Sequence, residues 1–535
     1  MKRNILIFSL LLMTFKLSAQ DFPFKKGTYG IDHEKKMVVV AGPSRGGVET
    51  LEIDGASYRL YRSTMPVITV ATDGPIVNTP AVHGIINVAD NEGNVIEMHA
   101  GFKIRGNSSQ QYDKKSYRVE LWSDATGTLM ADTTFLGLRS DDDWNLEAMW
   151  TEPLRLRNKV CNELWMEMYQ LPYQENEPDA RPGIRMQFAD LFVNDEYVGI
   201  YTLTERMDRK QLGLRKYNGD LRGVLYKGNG NGAPSFDSLP DYDNTSDTWE
   251  NFEWVYPNES DTLIDWSQLY SFVNFVINAS DNVFYSQYAT QFDVDNAIDY
   301  YIFINVLGAM DNMSRNTFIA RYKKSSAYMY LPWDMDAVLG LNLEGEHHPD
   351  ATGLKSNGFF DRLDDDCYDN GFVQRLQARY NELRNSILTT EHFMEMFRGQ
   401  YETLLAEGAY DREHEAWPMF SADESELSYM DAWLESRFQY LDAELNAGCG
   451  TWAIEEQSAM EMEIFPNPAK EKLTIRFAES CESAYSLYDM TGRRLLSGKS
   501  KAQAFTVSTE HFQSGIYTIV VVADGKQHVE RVVVE

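Results

Sequence analysis

The order of strand-like and helix-like segments is the feature that most limits how this chain of 535 residues can fold. Strand patterns dominate from "MPVITVATDG" to "YVGIYTLTE", and apolar and polar residues alternate in stretches such as "SYRVELW". Helical patterns follow, from "WSQLYSFVNFVINAS" to "ESELSYMDAWLESRFQYLDAEL". Strands that come first and helices that come afterwards predict an α+β domain of two lobes, with a β-rich N-lobe and a helical C-lobe.

Both ends of the chain carry further segments. Residues 1–20 are interpreted as a secretory signal peptide, because basic residues precede a short apolar stretch and small residues. We expect residues 21–64 to form a short β-rich segment, residues 65–447 the two-lobed domain, and residues 448–461 a linker. Evenly spaced strand patterns with Gly and Asp turns fill residues 462–535, which predicts a small all-β sandwich.

Charge, hydropathy and cysteine spacing exclude several kinds of partner. The chain holds 81 acidic and 49 basic residues, a net charge of −32, so its surface repels phosphate backbones and nucleic acid is not an expected partner. After the signal peptide, every apolar stretch is shorter than about eighteen residues, so we expect no integral membrane segment. The four cysteines lack CxxC spacing, which argues against zinc, and we expect them to be thiols of the core.

Polar residues stand at the ends of apolar runs in "GAMDNMSRNTFIARYKKSSAYMYLPWDMD", residues 308–336. Carboxylates at such positions are costly to bury unless they bind something. Asp311 and Asn316 are five residues apart, and Asp334 and Asp336 end a strand pattern. Phosphoryl transfer needs a carboxylate that orients the attacking hydroxyl and oxygen ligands for magnesium, so this segment predicts that chemistry. In the competing interpretation, these residues only cap helices and turns.

A second segment, "RGNSSQQYDKKSYRVEL", offers groups for the phosphates of a nucleotide. Its Gly-Asn-Ser-Ser turn is rich in backbone N–H and hydroxyl donors, and Lys114 and Lys115 then enter a strand. Lys115 shares the parity of the apolar positions Tyr117 and Val119, so we expect Lys115 to point inward, although a bulge would reverse the assignment to Lys114. The alternative is a solvated basic edge that discourages strand pairing.

Two other positions have two interpretations each. Glu205 ends the strand pattern "GIYTLTE" and is read either as a contact of the ribose or adenine edge or as negative charge at the start of a helix near Met207. Lys227 precedes the glycine-rich stretch "GNGNG" and is read either as a phosphate contact or as part of a surface hairpin. The residues alone do not separate these interpretations.

Several of these stretches occur together in one known family. "MPVITVATDG", the RGNSS segment, "ADLFVNDEYVGIYTLTERMD", "GVLYKGNG", "MDNMSRNTF" and "LPWDMD" come in the order seen in CotH proteins, the spore-coat-protein-H-like secretory kinases. The chain resembles that family over about residues 65–445. The resemblance implies an atypical protein-kinase-like fold that transfers the γ-phosphate of ATP to Ser or Thr of an extracytoplasmic protein, with Mg²⁺ or Mn²⁺.

The resemblance also implies roles for individual residues. It places Asp311 at the catalytic carboxylate position and makes metal ligands of Asn316, Asp334 and Asp336, with Asp334 favoured as the main ligand. Together with the interpretations above, the expected contacts of ATP are Arg105, Asn107, Ser108, Lys114, Lys115, Glu205 and Lys227. The sequence lacks GxGxxG, HRD and DFG, and it does not identify a helix glutamate that pairs with the lysine.

The end of the chain resembles the C-terminal sorting domain of the type IX secretion system. The resemblance rests on "IFPNPAKEKLTI", "LYDMTGRRLLSG" and "GIYTIVVVADGKQHVERVVV". It implies that the type IX machinery carries the protein across an outer membrane to the cell surface or beyond. Two other functions stay open: transfer of AMP by the same fold, and a non-catalytic scaffold of the cell surface or matrix.

Overall fold

The structure is a computed structural model. It describes residues 15–17, 22–43, 47–258, 263–450, 462–478, 480–489, 494–523 and 526–534. The chain divides into two compact units, Met1–Asn446 and Ala447–Glu535. Except for residues 15–17, the predicted signal peptide lies outside the described residues, as does most of the predicted linker. The predicted domain bounds stay predictions.

The first unit begins with a sheet that we call the N-terminal sheet. Its strands are β1 (Phe15–Leu17), β2 (Tyr29–Asp32), β3 (Met37–Ala41), β4 (Glu49–Ile53) and β5 (Ala56–Ser63), in the order β1-β4-β5-β3-β2. Strand β3, "MVVVA", is buried along its whole length. Met37 and Val39 pack against the strands that follow, whereas Val38 and Val40 pack against β4 and β5. A strand covered on both faces is apolar throughout, which explains this sequence.

A closed barrel follows. Its strands are β6 (Val67–Thr72), β7 (Val82–Ala89), β8 (Val95–Arg105), β9 (Ser116–Trp122), β12 (Asp143–Glu147), β13 (Met186–Val193) and β14 (Glu196–Thr204), with the short β10 (Thr133–Thr134) and β11 (Ser140–Asp141) beside them. The barrel order is β12-β14-β13-β6-β7-β8-β9. Alternate residues such as Ile86, Phe102, Val119 and Leu203 fill its core. Helix α1 (Arg157–Met168) lies in sequence between β12 and β13.

A second sheet and most of the helices complete this unit. The strands are β15 (Val224–Asn229), β16 (Thr248–Trp249), β17 (Phe252–Tyr256), β18 (Arg315–Arg321) and β19 (Met329–Pro332), in the order β16-β17-β15-β18-β19. The helices are α2 (Ser267–Asn278), α3 (Asp281–Gln291), α4 (Val294–Leu307), α5 (Gly358–Asp364), α6 (Phe372–Arg384), α7 (Thr390–Ala406), α8 (Ala409–Ala416) and α9 (Ser425–Glu444). Helix α4 is buried nearly throughout and packs against β19, α6 and α9.

The second unit consists of strands. They are β20 (Met462–Phe465), β21 (Lys472–Phe477), β22 (Ser483–Tyr488), β23 (Arg494–Ser500), β24 (Ala504–Ser508), β25 (Gly515–Ala523) and β26 (Lys526–Val534). One sheet has the order β20-β21-β24 and the other β23-β22-β25-β26. Residues of both sheets, including Leu473, Ile475, Leu487 and Ile519, share one core.

The described residues thus form a mixed α+β protein with a β-rich N-terminal region, a helical middle and C-terminal all-β sheets, as expected at this level. None of the helices in the described ranges has both the length and the apolar character that crossing a membrane requires. Cys367 and Cys449 are disulfide-bonded, whereas Cys161 and Cys481 are thiols. The expectation that all four cysteines are core thiols is therefore wrong for two of them.

Candidate active site

A cleft of about 720 Å³ is bordered by the barrel, the second sheet and the loops beside them. The connection between β8 and β9, the end of β12, strand β15, the turn before β18 and the segment after β19 all contribute to its lining. The predicted site residues in this lining are Arg105, Asn107, Ser108, Lys114, Lys227, Asp311, Asn316, Asp334 and Asp336. Residues more than 200 positions apart in the sequence therefore face one cavity.

The turn between α4 and β18 carries Asp311 and Asn316. Helix α4 ends at Leu307, its C-cap Gly308 has a left-handed φ of 61°, and the chain then turns toward the cleft. Asp311 accepts hydrogen bonds from Arg315 Nη1 at 3.1 and 3.3 Å. The buried Asn312 donates through Nδ2 to the carbonyl oxygens of Asn316, at 2.9 Å, and Trp333, at 2.8 Å. Asn312, which sequence reasoning missed, thus fixes both halves of the acidic segment relative to each other.

Backbone strain accompanies this arrangement. Asn316 has a φ of 49° and Asp334 a φ of 59°, both in the left-handed region that non-glycine residues seldom adopt. Asn158 Oδ1 accepts a hydrogen bond from Met335 N at 3.0 Å, and Arg157 Nε donates to Val338 O at 3.1 Å. The start of α1 therefore holds the strained segment in place, as is typical of functional sites.

The acidic side chains after β19 repel each other. Burial raises the pKa of Asp334. The charges of Arg105 and Lys227 act to lower this pKa, and the charge of Asp311 acts to raise it further. Burial also raises the pKa of Asp336 well above its usual range, and the charge of Asp334 adds to the effect. Partly buried carboxylates that lack a full set of counter-charges favour a cation. The oxygen-only donor set of Asn316, Asp334 and Asp336 fits a hard divalent ion such as Mg²⁺ or Mn²⁺.

Arg105 extends toward this acidic segment from the end of β8. Its guanidinium forms an ion pair with Glu147 at the end of β12 and lies 5.9 Å from the centre of the Trp333 ring. Burial raises the pKa of Glu147, Arg105 opposes this, and the nearby Asp334 increases it. Glu147 is a second residue that sequence reasoning missed, because its partner lies 42 positions away in the chain.

Lys114 is the buried lysine of the site. Its Nζ donates to Glu413 Oε1 at 2.6 Å and to Ile200 O at 2.7 Å. Arg155 Nε donates to the same glutamate oxygen at 3.1 Å, and Glu413 Oε2 accepts from Ile200 N at 2.7 Å. Gly199 makes this approach possible, since a Cβ there would lie 2.1 Å from Glu413 Oε2. Glu413, in α8, is the helix glutamate that the sequence did not identify.

The side chain of Lys115 points in a different direction from the one that the alternation of apolar residues predicted. Its Nζ donates to Gln110 O at 2.9 Å and to Tyr112 O, so its ammonium closes the loop that follows Ser108. The expectation that Lys115 points inward instead of Lys114 is wrong. The alternation of β9 begins at Ser116 and does not extend back to the two lysines. A direct role of Lys115 in nucleotide binding stays a prediction.

Glu205 lies outside the lining of the cleft. Its buried carboxylate accepts hydrogen bonds from Arg139 N at 2.8 Å, Arg185 N at 3.0 Å and Arg185 Nη2 at 2.6 Å. Burial by itself would raise its pKa, but the hydrogen bonds from Arg185 and Arg139 outweigh burial and lower it. Turns rather than a helix follow β14, so the expected helix near Met207 is wrong. The contact with the ribose or adenine stays a prediction.

Comparisons with known proteins identify the class. Residues 102–441, well over half of the chain, match the family model described as CotH kinase protein. The chain belongs to the CotH kinase family, which is an atypical protein kinase family. Inner spore coat protein H of Bacillus subtilis (strain 168) is 22% identical over 300 residues, which cover 56% of this chain and 75% of that protein.

The end of the chain matches a second family model. Residues 463–535 match the secretion system C-terminal sorting domain. This domain indicates secretion to the cell surface or outside. Both resemblances that the sequence motifs suggested are thus confirmed.

Proposed function

We propose that this protein is an exported, metal-dependent kinase that transfers the γ-phosphate of ATP to Ser or Thr of an extracytoplasmic protein. The observation that carries the proposal is the shared cleft of Lys114, Asp311, Asn316 and the two aspartates after β19. Membership of the kinase family supports the use of ATP, and the sorting domain supports a site of action outside the cytoplasm. In this proposal the barrel belongs to the N-lobe and helices α2 to α9 to the C-lobe.

Each group of side chains has one task in this reaction. Lys114, held by Glu413, binds the phosphates of ATP, and the loop of Arg105, Asn107 and Ser108 covers them. Lys227 supplies further positive charge. Asp311 orients the acceptor hydroxyl and takes its proton while the hydroxyl oxygen attacks the γ-phosphorus, and the bond to the leaving oxygen of ADP breaks.

Asn316, Asp334 and Asp336 would hold the divalent cation. When bound, the cation neutralises charge on the phosphate oxygens and orients them. Because Asp334 itself has a strained backbone and interacts with the charges of Arg105 and Lys227, we favour it as the main ligand. Asp336 is the second carboxylate, and burial together with the charge of Asp334 raises its pKa well above the usual range.

Radiolabelled ATP with Mg²⁺ or Mn²⁺ tests the proposal. We expect the purified chain to label itself or a serine-rich acceptor protein, and Asp311→Asn to reduce the rate by two orders of magnitude or more. The matched control is Asp295→Asn, since Asp295 also pairs with an arginine but lies on the surface, with 83% of its side chain exposed. Equal labelling by Asp311→Asn and the wild-type chain would contradict the assignment. The intact mass of the product distinguishes added phosphate from added AMP.

The sorting domain gives the proposal a second test. We propose that the type IX machinery recognises residues 463–535 and delivers the kinase unit to the cell surface or beyond. A chain cut after residue 461 should keep its kinase activity in the purified state but should no longer leave the cell. Export of the shortened chain at the normal level would contradict this role of the domain.

A further inference from the structure

Helix α8 connects the lysine of the cleft to the N-terminal sheet. Helix α8 has eight residues, whereas an isolated helix needs about 12–15 residues to be stable in water. Its stability and position therefore depend on contacts with neighbouring elements. On one side Glu413 reaches Lys114 and Arg155. The opposite side and both ends of α8 contact other parts of the unit. What holds α8 therefore decides where the carboxylate of Glu413 lies.

The N-terminal sheet contacts α8 near both of its ends. At the end of the helix, Glu415 forms an ion pair with Arg59 and accepts a hydrogen bond from Tyr61 Oη at 2.9 Å. Just before its start, Glu407 accepts hydrogen bonds from Thr64 N at 2.8 Å and Thr64 Oγ1 at 2.6 Å. These contacts come from β5 and from the residue that follows it. The sheet thus holds α8 at two points, which lie six residues before and two residues after Glu413.

A buried ion pair holds the middle of the helix. Arg412 donates to Asp190 through Nε at 3.0 Å and through Nη2 at 2.7 Å, and both side chains are fully buried. The Arg412 guanidinium also lies 5.5 Å from the centre of the Tyr61 ring, and Nη2 is 3.4 Å from Ser63 Oγ. Arg412 and Glu413 are neighbours in the chain, so a shift of one moves the other.

We propose that the N-terminal sheet is a positioning element for the nucleotide site. Through Arg59 and Tyr61 it holds α8 so that Glu413 meets Lys114, and it thereby strengthens the binding of ATP. The inference rests on the function proposed above. The sheet precedes residues 102–441, the part of the chain that matches the family model. Because Lys114 is fully buried, its ammonium depends on this one carboxylate, and small displacements of Glu413 are costly.

Calorimetric titration with Mg·ATP tests the inference. We expect the variant Arg59→Ala/Tyr61→Phe to bind Mg·ATP about five- to tenfold more weakly than the wild-type chain, which is the usual size of such couplings. The matched control is Arg62→Ala, because the ion pair of Arg62 with Glu49 stays within the sheet. Arg59→Lys, which keeps the positive charge, should restore most of the affinity.

The same substitutions in a Glu413→Gln background separate positioning from general stability. If the sheet acts through Glu413, Arg59→Ala/Tyr61→Phe should change the affinity less than about twofold in that background. An undiminished effect there, or an unchanged affinity in the wild-type background, would overturn the inference while the proposed function stands. A wild-type chain that binds no Mg·ATP would instead overturn the proposed function, and this inference with it.

Discussion

Two groups of acidic side chains in the first unit differ in what neutralises them. Among the described residues, Asp132, Asp141 and Asp142 bring ligand atoms within 4.8 Å of one another. Lys210 Nζ contacts all three, at 2.7, 2.7 and 2.8 Å. Burial works to lower the pKa of Lys210, but the hydrogen bonds to the three aspartates outweigh it and raise the pKa. The ammonium of Lys210 thus neutralises part of the charge of these three aspartates.

Within the described ranges, the acids of the cleft share no lysine that is hydrogen-bonded to all of them, and Lys227 acts on Asp334 only through its charge. Arg105 and Lys227 lower the pKa of Asp334 only in part, and the charge of Asp334 raises the pKa of Asp336. The number of carboxylates is therefore a poor guide to a metal site. A carboxylate cluster whose charge is neutralised by side chains of the protein is a structural feature. A carboxylate cluster that keeps net negative charge beside a cavity favours the binding of a cation.

Removal of Asp334 should have the largest effect. We expect Asp334→Ala to lower kcat/KM for phosphate transfer by about 10³-fold or more, since cation and phosphate positioning supply most of the catalysis. The melting temperature without metal should stay the same or rise, because a repelled, partly buried carboxylate is removed. Addition of Mg²⁺ should raise the melting temperature of the wild-type chain and leave that of the variant unchanged.

Asp141→Asn is the matched control for that experiment. Asp141 belongs to the group that Lys210 neutralises, so the variant should keep the Mg²⁺-dependent rise in melting temperature. If Asp141→Asn abolishes the rise and Asp334→Ala preserves it, the assignment of the two groups is reversed.

Lys114 should give the next largest effect, and one that depends on pH. Burial lowers the pKa of Lys114 to about 7, an effect that Glu413 opposes and Arg155 increases. The ring of Tyr201 faces the same ammonium at 4.8 Å. Phosphate binding requires the protonated form, so kcat/KM should fall as the pH rises through about 7.

Lys114→Arg tests the origin of this pH dependence. The guanidinium stays protonated over the whole range, so the decline at high pH should disappear even though activity drops by about 10²-fold from the poorer fit. Lys115→Arg is the control and should retain the decline. If kcat/KM of Lys114→Arg still declines as the pH rises through about 7, the decline is caused by another titratable group.

The comparison also explains what the sequence could and could not predict about the site. Asp311, Asn316, Asp334 and Asp336 were predictable as a set because the turn before β18 and the end of β19 belong to paired neighbouring strands. Because β18 and β19 pair, residues at the start of one strand and at the end of the other lie close together in the folded chain. The α+β class was predictable for a similar reason, since the strand and helix periods are local patterns.

Other features depend on contacts that no local pattern records. Glu413 is 299 positions from Lys114, and tertiary packing, including that of α8 on β14, brings them together. Closure of the barrel depends on the pairing of β12 with β9 and β14. Asn312 was missed because its partners are backbone carbonyls, which have no sequence signature. The prediction that Lys115 points inward failed because parity applies only within a strand.

Substitution of Lys210 should have the smallest effect on function. It tests whether this lysine is what neutralises the cluster of Asp132, Asp141 and Asp142. Lys210→Met leaves three carboxylates without their shared ammonium, so we expect the melting temperature to fall by about 1–3 °C. Lys216→Met, at an exposed lysine, should leave it unchanged. The affinity for Mg·ATP should stay within about twofold of the wild-type value in both variants. A Lys210→Met chain that regains its stability when Mg²⁺ is added would show that the neutralised group differs from a metal site by this one lysine.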